Sequence, residues 1–224
     1  MIAEILGELQ RRFEAEADAT RAAGAAAYMR GQFSFYGIDA PSQRRIARDV
    51  TAGLPSPTEK QLAAMARRCW KRPQREWQYF ACGYLRRHIT IASAGFIDVA
   101  EELVTAKSWW DTVDALASRT VGPLVQIYPE LRRTMDTWAT AENIWLARAA
   151  ILHQLTFKAR TDAGRLFHYA ELRTADTEFF IRKAIGWALR EYSKTDGAAV
   201  RRFVKTHPQL STLSRTEALK WLER

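Results

Sequence analysis

The sequence has few of the residues that interrupt helices or cross-link chains. Its 224 residues include 11 glycines, 7 prolines and 2 cysteines, and long stretches contain no helix breaker. Cys69 and Cys82 are too few for a disulfide framework and lack metal-ligand spacing, which favours a reduced, cytoplasmic setting. The four histidines are also scattered without ligand spacing, so neither a metal site nor a cofactor is predicted.

Long apolar runs and strand patterns are missing as well. No uninterrupted apolar run approaches the roughly 18 residues of a membrane span, so no membrane partner is expected. The first residues, MIAEILGELQRRF, mix acidic and apolar side chains without a basic leader, which predicts an amphipathic first helix rather than a signal peptide. No segment alternates apolar and polar residues with a period of two, so no sheet is predicted.

Helical segments that begin with an aromatic residue recur along the chain. Trp77, Trp110, Trp145 and Phe180 are separated by 33, 35 and 35 residues, and a second helical stretch lies between each pair. A helix pair repeated at this spacing is typical of an α-solenoid, in which neighbouring pairs bury each other's apolar faces. The sequence therefore predicts an all-α fold, an α-solenoid in one curved domain over residues 1–224.

Proline and threonine residues predict some of the helix limits. Thr58 is expected to cap the helix that follows the loop LPSPTE. Pro123 and Pro129 are expected to bracket a connection between two helices.

Positive charge is concentrated in one part of the chain. The net charge is +9, and residues 41–90 alone carry 11 basic and 3 acidic side chains, a net of +8. Such a local excess is typical of a protein that binds a polyanion. A solvated, arginine-rich surface without a partner is the alternative. The basic residues of this segment include Arg44, Arg45, Arg48 and Arg72.

Polar residues within the predicted inner helices mark a candidate site. Counted from each leading aromatic, Asp114 is at position +4, Arg148 at +3 and Trp187 at +7, while Trp110 is itself a leading residue. These offsets share one helix face, so in stacked repeats the four side chains would line one concave patch. The alternative is that Asp114 and Arg148 form a structural ion pair between repeats and the two tryptophans fill the core.

At these segments the sequence resembles the DNA alkylation repair enzyme family, the AlkD-type DNA glycosylases built from HEAT-like helical repeats. The resemblance covers almost the whole chain. Its stretches are YMRGQFSFYGIDAPSQRR from Tyr28, REWQYFACGYL from Arg75, KSWWDTVDALA from Lys107, ENIWLARAAILHQL from Glu142, EFFIRKAIGWALREYSKT from Glu178 and LSRTEALK from Leu213.

The resemblance implies a monofunctional glycosylase that removes 3-methyladenine and 7-methylguanine from duplex DNA, acts as a monomer and needs no cofactor. It places the family's active-site residues at Trp110, Asp114, Arg148 and Trp187, and an N-terminal tyrosine at Tyr28. It also implies that the base is not flipped into a pocket. Arg148 has two possible roles, to hold a phosphate or to pair with Asp114 and lower the pKa of its carboxyl. A DNA-binding solenoid without catalysis and a protein-interaction scaffold are the alternatives in function.

Overall fold

A computed structural model describes residues 2–223, most of which are helical. No β-strand occurs in this range, where Ser34 and Gln74 form an isolated β-bridge. The all-α prediction is therefore confirmed. The chain divides into two compact units, one ending at Ser93 and the other beginning at Ala94. That residues 1–224 act as one domain stays a prediction.

In the first unit, residues 2–93 form five α-helices and a short 3₁₀-helix. They are α1 (Ile2–Ala15), α2 (Ala19–Tyr28), α3 (Ala40–Val50), α4 (Glu59–Trp70), α5 (Arg75–His88) and the 3₁₀-helix Ile89–Ile91. Thr58 caps α4 as predicted, since its side chain accepts from the backbone N–H of Gln61 and the Gln61 side chain reciprocates. Asp18 and Asp39 cap α2 and α3, since their side chains accept from the backbone N–H groups of Arg21 and Ser42.

The loop between α2 and α3 is held by a buried carboxylate of α5. Glu76 accepts hydrogen bonds from three consecutive backbone N–H groups, those of Tyr36 at 3.1 Å, Gly37 at 2.9 Å and Ile38 at 3.4 Å. A buried charge needs such partners. These three amides are therefore satisfied within the protein.

In the second unit, which the structure describes as far as Glu223, there are nine α-helices. They are α6 (Phe96–Thr105), α7 (Trp110–Leu116), α8 (Gly122–Ile127), α9 (Arg132–Ala139), α10 (Ile144–Leu152), α11 (Ala163–Leu172), α12 (Phe179–Ser193), α13 (Gly197–Thr206) and α14 (Thr212–Leu219). Short 3₁₀-helices at Pro129–Leu131 and Lys158–Arg160 complete the unit.

The helix-pair repeat predicted from the aromatic spacing is confirmed. Trp110 is the first residue of α7, while Trp145 and Phe180 are the second residues of α10 and α12. Helix α10 packs against both α7 and α12, and α12 packs against α14. These inner helices are apolar on most sides because each is covered by its neighbours; six of the nine residues of α10 are buried apolar residues.

A π-helical turn joins α7 to α8, where the prediction of a connection between Pro123 and Pro129 was wrong. Residues Ala117–Val121 are π-helical, and the N–H of Gly122 bonds to the carbonyl of Ala117, five residues earlier. Pro123 has no N–H, and the wider turn accommodates its ring at the start of α8. Helix α8 thus occupies the stretch between the two prolines.

Candidate active site

Asp114 and Arg148 form a buried bidentate ion pair between two inner helices. Arg148 Nε donates to Asp114 Oδ1 at 2.7 Å, and Arg148 Nη2 donates to Asp114 Oδ2 at 2.8 Å. The Arg148 side chain is 3% exposed and that of Asp114 is 13% exposed. Asp114 comes from α7 and Arg148 from α10, so the pair joins two inner helices, and that the four predicted side chains line one concave patch stays a prediction.

The third nitrogen of Arg148 binds a third inner helix. Arg148 Nη1 donates to the carbonyl of Phe180 in the first turn of α12, and the guanidinium lies 5.9 Å from the Phe180 ring centroid. Every nitrogen of the guanidinium is thus engaged within the protein. Of the two roles open to Arg148 in the sequence, the structure shows the pairing with Asp114.

The pKa of the Asp114 carboxyl reflects two opposed effects. Burial raises the pKa above its ordinary value, because it disfavours the charged form, and this is the largest effect. The hydrogen bonds and charge of Arg148 lower it. Arg148 therefore lowers the pKa of Asp114, as the sequence led us to expect. The net pKa is nevertheless raised, because the loss of solvent around the buried carboxyl outweighs the effect of Arg148.

An aromatic cluster lies beside the ion pair. The ring centroids of Trp109 and Phe180 are 5.0 Å apart, those of Trp145 and Phe180 are 5.0 Å apart, and those of Trp109 and Trp145 are 5.8 Å apart. These distances are typical of favourable ring contacts. The rings of Trp109 and Trp145 pack against the ring of Phe180, whose carbonyl accepts the hydrogen bond from Arg148.

Sequence reasoning did not assign this cluster. Trp145 and Phe180 served there only to align the repeats, and Trp109 precedes the aligned position by one residue. A signal in the sequence could have found Trp109 and Phe180, because two aromatic residues adjoin at 109–110 and again at 179–180, at the start of inner helices.

Trp110 and Trp187 are half-buried on the same two helices as Asp114 and Phe180. Trp110 precedes Asp114 by one turn of α7, and Trp187 follows Phe180 by two turns of α12. Residues at these spacings share a helix face. Trp110 therefore shares a face of α7 with Asp114, and Trp187 shares a face of α12 with Phe180.

Tyr28 lies in the other unit, at the end of α2. Its side chain is 71% exposed, and it borders a cavity of about 260 Å³ whose wall also includes Phe35 and Tyr79. The tyrosine is therefore accessible in its own unit.

The predicted DNA-binding arginines differ in how they are engaged. Arg44 and Arg48 are exposed on α3, and Arg48 Nε lies 3.7 Å from Asp49 Oδ1. Arg45 pairs with Glu16, and Arg72 lies 5.0 Å from the Trp77 ring centroid. Only part of the positive segment is thus free to face a polyanion.

A comparison with protein families identifies the group to which this arrangement belongs. The family described as DNA alkylation repair enzyme matches residues 9–222. The chain belongs to the DNA alkylation repair enzyme family. The resemblance found at the segments around Trp110, Arg148 and Trp187 is thereby confirmed.

A solved structure agrees with this family assignment. The chain is similar to a predicted DNA alkylation repair enzyme from Enterococcus faecalis, with a TM-score of 0.86 and 30% sequence identity over 93% of this chain and 98% of that one. No curated protein matches the chain. The HEAT-like helical fold expected for a DNA alkylation repair enzyme is confirmed by this similarity.

Residues 2–223 of this DNA alkylation repair family member contain neither a membrane-spanning helix nor a cluster of metal-binding side chains. Between Ile2 and Glu223, no helix has the length and apolar character needed to cross a bilayer. Over the same residues, no group of three or more His, Cys, Asp or Glu side chains is arranged to hold a metal ion.

Proposed function

We propose that the protein is a monofunctional DNA glycosylase that hydrolyses the N-glycosidic bond of cationic alkylated purines in duplex DNA. Its substrates are 3-methyladenine and 7-methylguanine, and its reaction is the first step of base excision repair. One observation carries the proposal. A carboxylate, Asp114, is fixed in a bidentate pair by Arg148 on the next inner helix, in a chain of the alkylation repair family.

Cleavage of the glycosidic bond of a cationic purine needs little catalytic assistance from the protein. Methylation at N3 or N7 gives the purine a positive charge, so the base leaves as a neutral molecule when the glycosidic bond breaks. No general acid is then needed to protonate it. The remaining tasks are to stabilise the positive charge that develops on the deoxyribose and to deliver a water molecule to C1′.

Asp114 is suited to both tasks. An ionised carboxylate has about four acceptor positions, and Arg148 takes two of them. The others are available to orient the nucleophilic water and to accept its proton. The negative charge is fixed before the reaction begins, in a site of low exposure, where it stabilises an oxocarbenium-like transition state most effectively.

Trp110 and Trp187 complement this charge. Their π faces attract a cation by about 0.5–2 kcal/mol each. On the faces of α7 and α12 that carry Asp114 and Phe180, they favour a positively charged base and keep bulk water from the sugar. An uncharged purine lacks this attraction and is also the poorer leaving group. Cationic lesions are therefore favoured both in binding and in the rate of bond cleavage.

We assign contact with the DNA backbone to Tyr28 and to arginines of the first unit. The exposed side chain of Arg44 meets a phosphate directly, and that of Arg48 does so beside its neighbour Asp49. Arg45 and Arg72 contribute after they give up their partners in the free protein, Glu16 and the Trp77 ring. Such contacts supply affinity without reading sequence.

The proposal is tested by incubating alkylated duplex DNA with the protein and separating the released bases by chromatography. We expect free 3-methyladenine and 7-methylguanine with intact strands, because none of the four proposed active-site residues is a lysine that could form a Schiff base. DNA binding without base release, at any enzyme excess, would instead identify a non-catalytic DNA-binding protein.

A further inference from the structure

A second buried carboxylate lies on α14, outside the site described above. Glu217 Oε2 accepts a hydrogen bond from Lys183 Nζ at 2.5 Å, and its Oε1 accepts one from Arg190 Nη1. The Glu217 side chain is 7% exposed, whereas those of Lys183 and Arg190 are 40% and 27% exposed. The carboxylate is therefore buried, and the two cations that it holds reach solvent.

The two cations flank Trp187 on the surface of α12. Lys183 precedes Trp187 by four residues and Arg190 follows it by three. Residues at these spacings are neighbours on a helix surface. Glu217 thus gathers two positive charges beside the indole that we assign to the active site.

Helices α12 and α14 approach each other closely at Gly186. A Cβ atom on Gly186 would lie 2.6 Å from Glu217 Cβ and 2.9 Å from the carbonyl oxygen of Ser214. Ser214 Oγ also donates to the carbonyl of Arg182 at 2.8 Å. The close approach of the two helices fixes the position of the carboxylate and hence of both cations.

We propose that Lys183 and Arg190, positioned by Glu217, form a binding site for one phosphodiester group of the DNA backbone beside the lesion. Glu217 is a positioning residue in this site, because it acts through the two cations. The inference rests on the proposed function, since it takes duplex DNA as the ligand.

The charges and donors of the cluster fit a phosphate. One carboxylate and two cations leave a net charge of +1, which matches the single negative charge of a phosphodiester. An ammonium has three N–H donors and a guanidinium has five, and each gives one to Glu217. The remaining donors, on side chains already held in place, bind a phosphate at a reduced entropic cost.

The first experiment measures the salt dependence of binding to an undamaged duplex oligonucleotide by fluorescence anisotropy. Each phosphate contact that is lost lowers the slope of log K against log salt by about 1. We expect this reduction for Lys183→Gln and for Arg190→Gln between about 50 and 200 mM salt. Lys205→Gln, which removes an exposed cation from α13, is the control and should leave the slope unchanged. Unchanged slopes for both α12 variants would overturn the proposal.

The second experiment tests the positioning role through the sign of the effect of Glu217→Gln. This substitution raises the local net charge from +1 to +2, so charge attraction alone predicts tighter DNA binding. A site that depends on the placement of two cations predicts weaker binding, because an amide cannot hold both. Tighter or unchanged binding by a folded variant would overturn the role of Glu217. If the variant does not fold, the α12 variants decide.

These measurements are independent of catalysis. If the wild-type protein releases no base but Lys183→Gln and Arg190→Gln weaken binding as described, the glycosylase proposal fails and the phosphate site stands. If base is released and the slopes do not change, the phosphate site fails alone.

Discussion

At the residue scale, burial and the partner Arg148 have opposite effects on the ionisation of the Asp114 carboxyl. Burial disfavours the charge, while the two hydrogen bonds from Arg148 favour it. Removing one member of a buried pair leaves the other charge uncompensated, which typically costs about 3–5 kcal/mol. Arg148 is therefore best tested by a substitution that keeps its charge and removes its bidentate geometry.

We expect Arg148→Lys to move the acid limb of the pH–rate profile to higher pH and to lower kcat. Asp114 acts as the carboxylate, so activity falls as the pH falls through the pKa of that group, which burial already raises. Lysine cannot donate the bidentate hydrogen bonds that lower this pKa, so the pKa rises further. The measurement is single-turnover excision of 7-methylguanine as a function of pH.

The matched control for this profile is Arg165→Lys. Arg165 also makes a bidentate contact with an aspartate, donating to both oxygens of Asp136 at 2.9 Å on the outer helix α11. Its substitution should leave the acid limb in place. An acid limb at the wild-type position in Arg148→Lys would show that Arg148 does not control the ionisation that limits the reaction.

At the element scale, glycines allow the helices of the second unit to approach closely. A Cβ atom on Gly122 would lie 2.3 Å from the carbonyl oxygen of His153, and one on Gly186 would lie 2.6 Å from Glu217 Cβ. Gly122 follows the π-helical turn and so lies close to the end of α10, the helix that carries Arg148. The first contact joins α8 to the end of α10, and the second joins α12 to α14.

We expect Gly186→Ala to destabilise the protein by about 1–3 kcal/mol, because overpacked sites must shift neighbouring backbone. Gly83→Ala is the control, since its Cβ would meet nothing within 4 Å in α5. There the gain in helix propensity should stabilise by about 0.5–1 kcal/mol. Chemical denaturation followed by circular dichroism measures both. Equal effects of the two substitutions would contradict the close approach at Gly186.

The helices were predictable because their signals are local or periodic. The 33–35 residue spacing of the leading aromatics located the inner helices, and the offsets within each repeat brought Asp114 and Arg148 to facing positions. The π-helical turn was not predictable in this way. Pro123 indicates the end of a helix unless the wider turn that precedes it is already known. The contact of Glu217 with α12 was missed because it lies outside the aligned repeats.

At the scale of the whole molecule, net charge describes the surface only in part. Of the basic residues in segment 41–90, Arg75 is fully buried and lies 3.7 Å from the Phe33 ring centroid. Arg45 and Arg72 also have partners within the protein. Composition predicts a polyanion partner, but only the packing shows which charges are exposed to meet it.

Arg44→Gln should therefore reduce the slope of log K against log salt for duplex binding by about 1. Arg44 is exposed on α3 within the basic segment. Arg11→Gln is the control, since Arg11 is an exposed arginine of α1 that pairs with Glu8, outside that segment. Fluorescence anisotropy over a range of salt concentrations measures both slopes. A larger change for Arg11 than for Arg44 would contradict the assignment of the DNA-binding surface.

Catalysis by the Asp114 carboxylate is the central claim, and excision of 7-methylguanine from a duplex oligonucleotide tests it most directly. The experiment compares the wild type with Asp114→Asn under single-turnover conditions. The control is Asp111→Asn, which removes a carboxylate from the same helix. We predict that Asp114→Asn lowers the rate by about 10²–10³-fold while DNA binding persists, and that Asp111→Asn excises at nearly the wild-type rate. Wild-type excision by Asp114→Asn would contradict the account.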